Sequence, residues 1–146
     1  MEEKIKRLQR HLSLIRTCAG WSSSELGAKL GVTRQMISNL ENGRCQMTVI
    51  QYRAIRNVLS EEIEASREDN DTQMLTDVIR ALVDEPELFT SEERDRILSD
   101  ANLLAPSIVS KKTTRKKASS TWVAVLAGAV VAALAVGASV FLTDKD

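Results

Sequence analysis

Between Trp21 and Thr48 the sequence starts and stops helices so often that neither a strand nor one long helix can run through it. In WSSSELGAKLG, Ser22 is a helix N-cap with Glu25 three residues on as its capping-box partner, and Trp21 stands where it can staple to Leu26. Gly31 takes the left-handed backbone that closes this helix, Thr33 caps the next, and Gly43 ends that one in turn. Thr48 then opens another helix with Gln51 as its box partner. Two short capped helices joined by a tight turn make a helix-turn-helix, whose second member fits the DNA major groove.

The apolar positions say which faces turn inward. In the second helix, about 33–42, Ile37 and Leu40 share a face with Met36 beside them, and Val32 can staple across the cap to Ile37. The other face carries Arg34, Gln35, Ser38 and Asn39. Its partner, 22–30, has Leu26 and Leu30 at i, i+4. Upstream, Ile5, Leu8, Leu12, Ile15 and Ala19 form a helical stripe over 4–20, with Lys and Arg opposite. Downstream, Tyr52, Ile55, Val58 and Leu59 are the inner face of a fourth helix, and Ser60 opens a short fifth segment, SEEIEASRED. Five short helices over 1–65 close a small core near the lower size limit for independent stability.

The formal net charge is zero, but its distribution is not even. Residues 1–60 carry ten basic against four acidic residues (net +6), and 61–100 carry four against fourteen (net −10). Residues 101–120 hold five basic and no acidic residues (net +5), and 121–146 one against two (net −1). The first block suits a polyanion and the second repels one. The acidic region, 66–105, reads as two helices. One covers 71–84, with Met74, Leu75, Val78, Ile79 and Leu82 inward and Pro86 as its limit; the other covers 91–104 from a Thr90 or Ser91 cap, with Ile97, Leu98, Ala101 and Leu104 on one side. The pattern leaves open whether they pair as a hairpin, pack on the first domain or dimerise.

The C-terminal quarter differs in kind. Residues 106–120 are rich in Ser, Thr and Lys and read as a flexible basic linker. The segment 121–142 contains WVAVLAGAVVAALAVGASVFL, 21 residues without a charge, which as helix spans about 31 Å and so about one hydrocarbon core. A short tail, 143–146, follows. Lys111, Lys112, Arg115, Lys116 and Lys117 precede the apolar run, against Asp144, Lys145 and Asp146 after it. The expectation is a single-pass membrane protein with its N-terminal domain cytoplasmic and its basic flank against anionic lipid headgroups. The charged start MEEKIKRLQR does not read as a signal peptide.

Little else in the chain carries chemistry. Cys18, Cys45 and the single His11 do not make a zinc site; Cys18 reads as core and His11 as a surface helix residue. There is no Ser/His/Asp set, no glycine-rich phosphate loop and no paired carboxylates outside acidic helical faces, so no enzyme, metal or cofactor is expected.

LIRTCAGWSSSELGAKLGVTRQMISNLENGR, with the following TVIQYRAIRNVLS, resembles the Cro/phage-repressor-like (XRE) helix-turn-helix regulators over about residues 4–65. The resemblance implies an all-α, five-helix lambda-repressor-like domain that binds double-stranded DNA, with Arg34, Gln35, Ser38 and Asn39 at base edges. It further implies phosphate contacts from Ser22, Ser23, Thr33, Asn42 and Arg44, and an internal ion pair between Arg16 and Glu41. Side-chain chemistry agrees with the first set, since Arg can bind guanine bidentately and Gln or Asn can do so with adenine. Gly27 departs from the alanine usual in the family. One small module makes few base contacts, so a homodimer on a pseudo-palindromic operator is expected. The layout also resembles a bacterial cell-shape family that uses a membrane-tethered helix-turn-helix to hold a cytoskeletal filament, which makes a protein-interaction adaptor the alternative reading.

Overall fold

The computed structural model describes residues 1–126, and the chain divides into two units, Met1–Val109 and Ser110–Asp146. The described residues contain seven α-helices and no strand: α1 (Glu2–Arg10), α2 (Leu12–Cys18), α3 (Ser23–Leu30), α4 (Arg34–Glu41), α5 (Val49–Ala65), α6 (Asn70–Ile79) and α7 (Ser91–Leu126). The all-helical architecture is consistent with a helix-turn-helix domain.

Two boundaries in the N-terminal half differ from the sequence expectation. The helix expected over 4–20 is interrupted at His11, whose φ of −108° and ψ of 16° separate α1 from α2. His11 is therefore a half-buried junction residue rather than part of a surface helix, and Leu8, Leu12 and Ile15 on either side of it are all fully buried. Conversely, no new segment opens at Ser60. Helix α5 runs through it, because no Gly or Pro lies between Val49 and Ala65, and Leu59 and Ile63, at i and i+4, both pack on the core.

The acidic region packs back on the N-terminal helices. Leu75, Val78, Ile79, Leu82 and Val83 belong to the same buried cluster as Leu8, Leu12, Ile15, Leu26, Ile37, Leu40, Ile55 and Leu59. Past Ile79 the helix widens into a π-turn, Arg80–Asp84, closed by the Glu85 N–H on the Arg80 carbonyl at 2.8 Å. The wider turn lets three consecutive residues, Ala81, Leu82 and Val83, all be buried, which a single face of a regular α-helix does not allow. Arg7 donates from Nε to the Val83 carbonyl at 2.9 Å, and Arg56 pairs with Asp84 at 2.8 Å. Arg7, which the helix-one pattern places among solvated basic residues, is thus half-buried and fastens α1 to the π-turn.

Helix α7 starts from a capping box in which Thr90 Oγ1 accepts from the Glu93 N–H and Glu93 Oε1 accepts from the Thr90 N–H. It does not stop at Leu104. Ala101, Ala105 and Ile108 continue one buried face past Pro106, and the helix holds through the proline despite the backbone donor its ring removes. Leu104, expected inward, is 48% exposed, because the covered surface lies toward Leu98 and Ala105 and leaves Leu104 at the edge of the stripe. In the second unit, residues 110–126 are helical where a flexible linker was expected over 106–120. Most of the apolar segment 121–142, and the tail 143–146, lie outside the described residues. Among the described residues no helix is long and apolar enough to cross a membrane.

Candidate nucleic-acid interface

Local hydrogen bonding builds the two-helix unit from its ends. Ser22 Oγ accepts from the Glu25 N–H at 3.0 Å while Glu25 Oε1 accepts from the Ser22 N–H at 2.8 Å, which starts α3. Gly31, at φ +74°, ends it: the Val32 N–H reaches the Gly27 carbonyl at 2.9 Å and the Gly31 N–H the Ala28 carbonyl at 3.4 Å. Two residues later Thr33 Oγ1 accepts from the Met36 N–H at 3.1 Å and α4 begins. Gly43, at φ +72°, closes α4 with the same pair of bonds, Arg44 N–H to the Asn39 carbonyl at 2.9 Å and Gly43 N–H to the Leu40 carbonyl at 3.3 Å. The turn between the helices is tight: a Cβ built on Gly27 would lie 2.7 Å from the Val32 carbonyl oxygen. Glycine in place of alanine is therefore a packing requirement here.

Ile37 and Leu40 anchor α4 in the core, and the opposite face points out. Arg34 and Gln35 are exposed; Ser38 and Asn39 are half-buried. The polar face has internal order. Gln35 Nε2 donates to Asn39 Oδ1 at 3.0 Å, and Asn42 Nδ2 donates to Ser38 Oγ at 3.3 Å. The Gln35–Asn39 bond leaves the Gln35 carbonyl oxygen and the Asn39 amide protons as an acceptor and donors one turn apart, the two kinds of group an adenine edge requires.

Around this face, Ser22, Thr33, Asn42 and Arg44 are exposed and Ser23 is half-buried. The Ser22 and Thr33 hydroxyls are occupied as acceptors by their caps, which leaves each O–H proton to donate. Lys29 lies over the Trp21 ring with its ammonium 5.0 Å from the centroid. A groove of about 750 Å³ beside α1 is lined by Met1, Ile5, Gln9, Leu40, Met47 and Val49 among others, but by none of Arg34, Gln35, Ser38 and Asn39. The polar face thus lies outside this groove, with Arg34 and Gln35 exposed at the start of α4, the end of such a helix that meets base edges.

Two features hold α4 at this angle. Arg16 and Glu41 form an ion pair between α2 and α4, and Arg16 Nη1 also donates to the Trp21 carbonyl at 2.8 Å. The second feature, Gln9, was not singled out by the sequence reading. Its amide in α1 donates from Nε2 to the carbonyls of Leu40 (3.0 Å) and Cys45 (2.7 Å) and accepts at Oε1 from the Met47 N–H (2.9 Å). The signal available was weak: Gln9 borders the Ile5, Leu8, Leu12 stripe, at a position that helical spacing turns partly inward.

Burial pushes the Cys18 thiol up to about 11, in keeping with an inert core residue. Burial, and then the neighbouring Arg10 charge, lower the His11 pKa from its ordinary 6.5. Among the described residues no group of His, Cys, Asp and Glu is arranged to hold a metal ion.

A helix-turn-helix family model matches residues 12–47, which span α2, α3, α4 and the turn that Gln9 grips. No curated protein and no solved structure matches the chain. The matched family is one of DNA-binding regulators, generally non-enzymatic, and the match suggests a DNA-binding regulator of the XRE type.

Proposed function

We propose that this chain is a sequence-specific transcriptional regulator that inserts α4 in the DNA major groove and is held at a membrane by its C-terminal apolar segment. The observation that carries the reading is the polar face of α4, presented outward from a two-helix unit whose caps, turn and core anchors all serve to fix that helix. Arg34, Gln35, Ser38 and Asn39 read base edges, and Ser22, Ser23, Thr33, Asn42 and Arg44 contact the flanking phosphates. Two copies bind a pseudo-palindromic operator, since one such module offers few base contacts.

Support for the membrane part comes from the sequence: 21 uncharged residues from Trp122 to Leu142, preceded by Lys111, Lys112, Arg115, Lys116 and Lys117. In this arrangement the basic flank meets anionic headgroups and the DNA-binding domain stays cytoplasmic. Tethering keeps the bound operator near the membrane.

The deciding experiment is genome-wide DNA occupancy of the full chain in its native cell, beside an Arg34→Ala/Gln35→Ala variant, with the cells also fractionated. Sharp peaks sharing a palindromic motif, lost in the variant, from a protein recovered in the membrane fraction, are the expected result. Diffuse signal indifferent to the variant would replace DNA with a protein partner for the same face. Recovery in the soluble fraction would remove the anchor while leaving the operator reading intact.

A further inference from the structure

We infer that Gln9, on α1, is a positioning residue for DNA-backbone contact: its amide sets the path of the turn from Asn42 to Thr48 and so where Arg44 and Asn42 stand. This rests on the reading of α4 as the helix that enters the groove. A cation just past the end of such a helix stands at the groove's edge, where phosphates are met, and the path of the turn that carries it sets its position.

The turn's own bonds to α4 end the helix, with Gly43 on the Leu40 carbonyl and Arg44 on the Asn39 carbonyl. Beyond them, the Cys45 carbonyl and the Met47 N–H are both satisfied by Gln9. The same Nε2 also reaches the Leu40 carbonyl, so one side chain ties the last turn of α4 to the backbone on the far side of Arg44. Arg44, exposed, lies between the two tied points.

The chemistry is particular to glutamine. Both amide protons go to carbonyls and the amide oxygen takes an N–H, so the group must supply two donors and an acceptor at one place. Glutamate keeps the acceptor but turns a carboxylate on two carbonyl oxygens. Methionine keeps the length of the side chain and loses all three bonds. Neither change touches the outward face of α4.

The test is equilibrium binding of the purified full chain to a short duplex of random sequence, as a function of salt, for the unaltered protein, Gln9→Glu, Gln9→Met, Arg44→Ala, and each Gln9 change combined with Arg44→Ala. Ile55→Val, a buried change in α5, serves as a purely structural control. All are measured well below the lowest melting temperature in the set. Both Gln9 variants are expected to weaken binding about five- to tenfold at low salt and to make the slope of log K against log [salt] shallower by about one unit, the signature of a lost phosphate contact. Ile55→Val should leave that slope unmoved, and adding a Gln9 change to Arg44→Ala should cost less than about twofold more. A wild-type slope in both Gln9 variants, or full additivity with Arg44→Ala, overturns the inference alone. Absence of any binding by the unaltered chain overturns the DNA reading and the inference with it.

Discussion

Arg16 and Glu41 meet between α2 and α4 as a nearly enclosed ion pair, their side chains 14% and 11% exposed. The pair crosses from the helix that builds the core to the helix that carries the polar face, so it fixes α4 through charge as well as packing. Removing one partner leaves the other charge buried without its counter-ion. Glu41→Ala should therefore cost about 3–5 kcal/mol of stability, whereas Arg16→Met/Glu41→Leu should recover much of that loss by removing both charges. Chemical denaturation of the three proteins checks this. Glu41→Ala within about 0.5 kcal/mol of the unaltered chain, the range of an ordinary surface substitution, would show that the pair contributes nothing.

Gly27 and Gly31 are glycines for opposite reasons, and alanine separates them. At Gly27 the backbone is ordinary helix, but a Cβ would come 2.7 Å from the Val32 carbonyl oxygen. At Gly31 nothing lies within 4 Å of a Cβ, and only the left-handed φ of +74° opposes a side chain. Gly31→Ala should cost about 1–2 kcal/mol. Gly27→Ala should be destabilising by about 1–3 kcal/mol because the obstacle is backbone, even though helix propensity taken alone favours alanine by about 1 kcal/mol. Thermal unfolding decides the sign at Gly27; a raised melting temperature there would mean the turn yields.

His11 makes stability depend on pH in a defined direction. Its folded pKa lies below the ordinary 6.5, through burial and then the Arg10 charge, so the unfolded chain binds more protons in the interval between the two values. The contribution of His11 is fully present above about pH 6.5 and is lost as pH falls toward the folded pKa. The unaltered chain should lose more stability between about pH 7.5 and pH 5.5 than His11→Gln, which has no such titration. Equal losses in the two proteins would show that His11 is not the group responsible.

The helix-turn-helix was legible because its determinants are local. Ser22 with Glu25, Thr33, and Thr48 with Gln51 act within four residues of themselves, and the structure has all these caps. The face of α4 follows from the spacing of Ile37 and Leu40. What was not legible depends on partners far away in the chain. The break at His11 has no Gly or Pro to announce it, and α5, which nothing in 49–65 interrupts, is carried through Ser60 by Leu59 and Ile63 packing on the core. Gln9 looks like one more polar residue of α1 until the carbonyls of Leu40 and Cys45, 31 and 36 residues away, are placed above it. Likewise, the apolar stripe of the acidic region announces that it needs a partner but not which one. The π-turn that delivers Val83 to Arg7 has no sequence signature of its own.

The shared core makes a sharper prediction about that acidic region. Leu75 in α6 is fully buried in the cluster that also holds Leu12, Ile15 and Trp21, so the helix-turn-helix and residues 66–105 should unfold together. Leu75→Ala leaves a cavity and should cost about 2–5 kcal/mol. Because Trp21 and Trp122 are the two tryptophans, a Trp122→Phe background lets fluorescence follow Trp21 by itself, just before the Ser22 cap of α3 and far in sequence from the substitution. In that background Leu75→Ala should shift the Trp21 transition by the same amount as the loss of helix seen by circular dichroism. An acidic region that only rests on the domain would give a different outcome: the Trp21 transition would stay in place, and a separate early loss of helix would appear. The first result would also mean that DNA affinity is sensitive to substitutions in α6, a helix that carries none of the proposed contact residues, through the fraction of chain folded rather than through the interface.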